Sequence, residues 1–209
     1  MGKFVIIYGR SGTGKSRSLK NFGKDELFLV NVEGKELPFR GKFKYTMISD
    51  NVDAIGEALQ TMTTKSAVID DCGYIMTHRF MREHREMTGN KQFTMYNDIA
   101  DDIYKLIRIT KHLDDDKIVY FVFHEDMNDA GITIIRTLGK LLDSKVCIEG
   151  MATIVLHSMF DGQKYYFKAQ NSGSDIAKSP EGMFDAVDIP NDLKSVDDAI
   201  RAYYEMEEA

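Results

Sequence analysis

Apolar residues are distributed unevenly along the chain, and their spacing predicts an alternation of strands and helices. Lys3 to Tyr8 is a nearly continuous apolar run, the pattern of a strand buried on both faces. A glycine-rich turn follows, and then a helix is expected from Lys15 to Phe22. Leu27 to Val32 reads as a second strand and Lys44 to Ser49 as a third. Val52, Ile55, Leu59 and Met62 fall at helical spacing, with Ser49 or Asp50 placed to cap that helix. Ala67 to Ile69 opens a fourth strand that ends in Asp70 and Asp71. A polar stretch with weak periodicity covers 73–93. Residues 94–113 carry Tyr96, Ile99, Ile103, Leu106, Ile107 and Leu113 on one helical face. Ile118 to Phe123 is the strongest candidate for a central strand, with His124 and Glu125 at its end.

Beyond it, 126–136 reads as a loop and Thr137 to Lys145 as a short helix. Met151 to Met159 and Lys164 to Gln170 read as strands joined through Asp161-Gly162, a hairpin signal. Asn171 to Pro190 is loop-rich. A last helix runs through Val196, Ala199, Ile200 and Tyr203, with Ser195 as its expected cap and Asp198 at the capping-box position. Strands alternating with helices imply parallel βαβ units, and the late hairpin adds antiparallel strands at one edge. The expected fold class is a single α/β domain over 1–209, a P-loop type sheet flanked by helices.

The chain has 209 residues, 43% of them hydrophobic and 29% charged, which is ordinary for a globular domain. No apolar run approaches the roughly 18 residues of a membrane span, so no membrane partner is expected. The amino-terminal residues lack the pattern of a secretory signal. Cys72 and Cys147 stand alone, without metal or redox spacing. With twelve methionines they suggest a reducing compartment, hence a cytoplasmic location. The net charge of −6 excludes a uniformly basic nucleic-acid coat. It is unevenly spread: residues 1–48 hold ten Lys or Arg against four acids, and 174–209 hold three against ten.

Gly9-Arg10-Ser11-Gly12-Thr13-Gly14-Lys15-Ser16 matches the phosphate-binding pattern G-x-x-x-x-G-K-[ST] without a gap, followed by Arg17. A buried strand precedes it and a helix is expected after it. Gly12 and Gly14 let the backbone curl so that its N–H groups point at phosphate oxygens. Lys15 then reaches the β- and γ-phosphates, and the Ser16 hydroxyl ligates Mg²⁺. The expected cofactors are therefore ATP and Mg²⁺. Asp70, at the end of an apolar strand, is the natural second carboxylate for the metal. Two residues compete for the general base that orients water: Asp71, and Glu33 at the carboxyl end of the second strand.

The phosphate loop, Glu33-Gly34, Val68-Ile69-Asp70, Phe123-His124-Glu125, Gly139-Lys140-Leu141 and the run from Tyr166 to Pro180 together resemble phage-encoded AAA-type ATPases with a RecA-like core, linked to single-strand annealing and recombination. The resemblance spans some 170 residues. It implies an ATPase acting on single-stranded DNA, with Glu33 as base and His124 sensing the γ-phosphate. It also implies a homo-oligomer, ring or filament, in which Lys178, Lys168 or Lys140 acts as a cation on the neighbouring subunit's site, working beside phage replication or recombination proteins in the host cytoplasm. Within the segment 77–97, Arg79, Arg82, Arg85 and Lys91 interleave with aromatic residues, a pattern suited to single-stranded DNA. The competing reading of that segment is a solvated helical insert in which Glu83 and Glu86 pair with the arginines. The acidic segment 174–209 is either a ligand for the basic site or a packed, solubilising surface. Two other functions share the loop: a nucleotide-switched interaction module, such as a helicase loader or packaging partner, and a small-molecule kinase with 79–91 as its lid.

Overall fold

The computed structural model describes residues 1–85, 89–139, 143 and 146–206, without the side chain of Asn90. Its strands are β1 (Lys3–Gly9), β2 (Leu27–Asn31), β3 (Tyr45–Met47), β4 (Ser66–Asp70), β5 (Ile118–Met127), β6 (Thr133–Ile135), β7 (Ile154–Phe160), β8 (Tyr165–Lys168) and β9 (Asp188–Pro190). The α-helices are α1 (Val52–Thr61), α2 (Gly73–Glu83), α3 (Asn90–His112) and α4 (Leu193–Tyr203). The sheet order is β3-β2-β4-β5-β1-β7-β8-β9, with β6 paired to β5 outside that path. From β3 to β7 every pairing is parallel, and β8 and β9 add antiparallel strands at one edge. The fold is thus α/β, a mostly parallel sheet flanked by helices, as the hydrophobic pattern implies.

Alternation along β1 explains why its run is continuously apolar. Phe4, Ile6 and Tyr8 pack with Ile55, Ile99 and Ile103 of α1 and α3 on one face. Val5 and Ile7 pack with Leu19, Leu193, Val196 and Ile200 on the other. A strand covered on both faces needs apolar residues at every position. The parallel register also aligns carboxyl ends: Gly9 lies opposite His124, and Asn31 opposite Asp70.

Several expected boundaries move, each for a local reason. The turn after the glycine-rich loop is a six-residue 3-10 helix, Ser16–Asn21, rather than an α-helix from Lys15 to Phe22. The Ser18 hydroxyl donates to the Lys15 carbonyl at 2.6 Å, competing with an α-helical pattern. Asn51, not Ser49 or Asp50, caps α1, accepting from the Ala54 N–H. Asp192, not Ser195, caps α4 and accepts from the N–H groups of Lys194 and Ser195, while Asp198 pairs with Lys194. The expected loop 126–136 is instead a hairpin, because β5 continues to Met127 and β6 returns beside it. Most of the polar stretch 73–93 is helical, supplying α2 and the start of α3. The strands expected over Met151–Met159 and Lys164–Gln170 are shifted or shortened, and a 3-10 turn occupies Glu149–Met151. Asp161 makes the β7–β8 turn by accepting from the N–H groups of Gln163 and Lys164, with Gly162 at φ +96°. Of the helix expected from Thr137 to Lys145, residues 140–142 and 144–145 lie outside the described residues, and 137–139 are non-helical. No described helix is long and apolar enough to cross a membrane.

The acidic carboxyl-terminal segment is partly internal. Asp197 is buried and its Oδ1 accepts from Ser66 Oγ at 2.6 Å and Tyr120 Oη at 2.8 Å. Its Oδ2 pairs with Arg201 Nε at 2.7 Å, and Arg201 also donates to the carbonyls of Asp116 and Lys65. This network fastens α4 to the amino ends of β4 and β5. Removing one partner of a buried pair leaves the other uncompensated, so Asp197→Ala should cost about 3–5 kcal/mol in urea unfolding at pH 7. Tyr120→Phe, which deletes one hydrogen bond, should cost about 1 kcal/mol. A loss below that smaller figure for Asp197→Ala would contradict a clamp at this position.

Candidate functional site

The loop Gly9–Ser16 emerges from β1 at the carboxyl edge of the sheet. Gly12 and Gly14 sit at φ +83° and +94°, where a side chain would be strained. Gly14 is also crowded: a Cβ there would lie 2.7 Å from the Tyr165 ring and 2.9 Å from Asn191 Oδ1. The curl is tied down by Thr13 Oγ1 donating to the Arg10 carbonyl and Ser158 Oγ donating to the Thr13 carbonyl. Lys15 is buried, and its Nζ donates to the carbonyls of Gly9 at 2.8 Å and Arg10 at 2.7 Å. Burial holds its pKa below the ordinary lysine value, against the pull of Asp71, Asp70 and Glu125. The following helix is too short to contribute a dipole of weight, so any anion here would be held by loop N–H groups and Lys15.

Asp70 ends β4 beside this loop and is almost wholly buried. Desolvation, and then the neighbouring Asp71, push its pKa up to about 6, against a hydrogen bond from Ser16. Its Oδ1 is buried without a hydrogen-bond partner. A serine hydroxyl beside an under-satisfied, desolvated carboxylate is a donor set that suits a hard divalent cation retaining waters. The fit is therefore to Mg²⁺ held jointly with phosphate rather than to an all-protein metal cage. Among the described residues there is no group of three or more potential metal ligands.

Asp71 adopts φ +58°, which turns its side chain away from the strand direction. Lys35 Nζ lies 2.8 Å from its Oδ2, and His124 Nε2 lies 3.1 Å from its Oδ1. Burial alone would raise its pKa, but His124 and Lys35 hold it down at about 2. Ser11, Lys15, Ser16, Lys35, Asp70, Asp71 and His124 all line one cleft of about 490 Å³, within the range of small-ligand sites. A second cavity of about 590 Å³ shares Ser11, Lys35 and His124 and extends under the β5–β6 hairpin to Arg136.

The structure thus brings together the loop, Asp70, Asp71 and His124, with Arg17 on the cleft wall over the Tyr165 ring. It places Glu33 differently: the carboxylate is absent from the cleft lining and stands 2.7 Å from His78 Nε2 of α2. The arginines of 77–97 are mostly engaged. Arg79 pairs with Glu83 at 3.1 Å and Asp102 at 2.5 Å, and Arg82 with Asp50 at 2.5 Å. Those pairs follow the reading of a charged helical insert, although Glu86 lies outside the described residues. Arg85 and Lys91 are exposed. Lys168 pairs with buried Asp175 at 3.3 Å, which ties it to its own domain. Lys178 exchanges main-chain hydrogen bonds with Val155. Lys140 lies outside the described residues.

Sequence reasoning passed over Lys35, Tyr74 and His157, and grouped His78 with the cations of the basic segment rather than with Glu33. His157 Nε2 lies 2.7 Å from Glu125 Oε2, and Glu125 Oε1 takes Arg10 Nε at 2.9 Å, linking the loop to β5 and β7. Only the His124-Glu125 pair at the strand end signalled this network.

The opposed carboxylates give a pH signature. The Asp70 pKa rises from 3.8 to about 6 on folding, so its ionisation costs nothing below pH 3.8 and the full penalty above pH 6. The Asp71 pKa falls to about 2, so its contribution is complete above pH 3.8 and is lost toward pH 2. Asp70→Asn should therefore raise the unfolding free energy of the nucleotide-free protein at pH 7 by on the order of 1–3 kcal/mol and flatten its decline between pH 4 and 6. A destabilised variant would contradict the desolvated state of Asp70, with its Oδ1 unpaired. The chain matches no protein-family model and no curated protein.

Proposed function

We propose that the protein is a Mg²⁺-dependent P-loop ATPase with a RecA-like core. The observation that carries this reading is the insertion of β5 between β1 and β4. Neighbouring strands lie about 4.8 Å apart, so the backbones of β1 and β4 are separated by roughly 10 Å, and the Ser16 and Asp70 side chains meet across that space. His124, at the end of β5, stands on the wall of the cleft that would receive the γ-phosphate and an attacking water. In this reading the loop N–H groups and Lys15 bind the β- and γ-phosphates, while Ser16 and Asp70 hold the metal. Bound Mg²⁺ would neutralise charge on the phosphate oxygens. His124 and Lys35, both on the cleft wall, stabilise charge on the transferring group. Glu33 or Asp71 orients the water. Asp71 is already in the cleft but, with its depressed pKa, is a weak base. Glu33 requires movement away from His78.

The resemblance to recombination ATPases extends the proposal to single-stranded DNA, oligomer formation and a cytoplasmic site of action. Among the described residues of 77–97, Arg85, Lys91 and the exposed ring of Phe93 are available for DNA. A second reading, a nucleotide-switched interaction module, is favoured by the pairing of Arg79 and Arg82 with carboxylates and by the exposure of Met81 and Phe93 beside them.

Phosphate release separates these readings. ATP turnover in Mg²⁺ should fall at least about 100-fold in Lys15→Ala, as expected when a principal phosphate contact is removed. Strong stimulation by single-stranded DNA, lost in Arg85→Ala/Lys91→Ala, supports the recombination reading. Hydrolysis without stimulation or gel retardation at low salt supports the switch. Wild-type turnover in Lys15→Ala contradicts both.

A further inference from the structure

Glu33 and Lys35 are two residues apart yet face different surroundings. Between them Gly34 turns the chain at φ +66°, with its N–H donating to the Asn31 carbonyl. Lys35 reaches into the cleft to Asp71, whereas Glu33 is directed at α2. Its Oε1 is buried 2.7 Å from His78 Nε2, without an aligned hydrogen-bond donor. The other ring nitrogen of His78, Nδ1, lies 3.0 Å from Asp50 Oδ2, and Asp50 also takes Arg82 Nη1 at 2.5 Å. Carboxylates therefore stand at both ring nitrogens of His78. The imidazole is thereby fixed from the side opposite Glu33.

We infer that His78, anchored by Asp50, is a positioning residue that holds Glu33 out of the cleft, so that hydrolysis requires this contact to break. The inference deepens the ATPase reading and rests on Glu33 as the residue that orients water. A route for release exists within α2. Tyr74 and His78 are four residues apart on one helical face. The Tyr74 ring packs edge-on against His124 at 5.8 Å and lies 5.0 Å from Lys35 Nζ. Both of those groups line the cleft, so a triphosphate that draws Lys35 and His124 toward itself also disturbs Tyr74 and, through the helix, the His78 contact. The same movement of Lys35 pulls on the turn at Gly34. His78 therefore couples occupancy of the cleft to delivery of the carboxylate.

The test is steady-state ATP hydrolysis by the full chain, with kcat and KM measured separately for the wild type, His78→Ala, His78→Gln, Asp50→Asn, Glu33→Gln and Glu33→Gln/His78→Ala. Loss of this half-buried contact should raise kcat in His78→Ala by about three- to tenfold, with KM unchanged within about twofold. Asp50→Asn should move kcat the same way by less, and the double variant should be as slow as Glu33→Gln alone. His78→Gln carries the same expectation and serves if the alanine variant does not fold, as read by thermal unfolding. An unchanged or lowered kcat in folded His78 variants overturns the inference. So does wild-type turnover in Glu33→Gln, which would leave the ATPase reading standing with Asp71 as base. Absence of turnover in the wild type overturns the ATPase reading itself, and the inference with it.

Discussion

The position of β5 between β1 and β4 is the constraint on which the rest of the structure depends. Parallel pairing on both sides of β5 fixes Gly9 opposite His124 and brings the end of β4 to the same edge. The glycine-rich loop, the two aspartates and the histidine converge only because that register holds. Because both faces of β5 are covered, each of its inner residues is apolar, and a slip of one position would reverse the two apolar sets. The clamp of Asp197 on Ser66 and Tyr120 secures the opposite ends of the same two strands. Stability at the amino edge and chemistry at the carboxyl edge are therefore set by one pairing.

The site carries a cost that its chemistry explains. Asp70 is desolvated beside another carboxylate and lacks a partner for one oxygen, so its ionised form is held at an unfavourable energy. Lys15 is a buried cation whose present partners are carbonyls. Groups strained in this way gain most when an opposite charge arrives, the pattern expected of binding residues tuned by burial. Asp71 shows the contrary arrangement, since Lys35 and His124 stabilise its charge. Adjacent aspartates thus have opposite characters, set by their neighbours.

Much of this was legible in the sequence. The buried strands announced themselves by apolar runs, and Gly12, Gly14, Lys15 and Ser16 by spacing. Asp70 and His124 stood out as the polar residues that follow the apolar runs Ala67 to Ile69 and Ile118 to Phe123, and the parallel pairing brings both to one cleft. What escaped was tertiary pairing. Nothing local to Glu33 indicates His78, which lies 45 positions further along. Arg79 and Arg82 looked like a cationic patch because Asp102 and Asp50, distant in sequence, neutralise them only in the fold. The hairpin over 126–136 escaped because its strand β6 has three residues and no turn signal that outweighs the polar composition around it. Caps were misplaced by one to three residues wherever several acidic or hydroxyl side chains were adjacent, since spacing alone does not choose between them.

The central claim, that this loop binds a nucleoside triphosphate with the metal at Ser16 and Asp70, is tested most directly by a crystal structure with Mg²⁺ and a non-hydrolysable ATP analogue. The account predicts that Lys15 Nζ exchanges the Gly9 and Arg10 carbonyls for phosphate oxygens. It also predicts that the metal lies between the Ser16 hydroxyl and Asp70. A triphosphate bound elsewhere, or a loop that keeps Lys15 on its own carbonyls at saturating nucleotide, would contradict it.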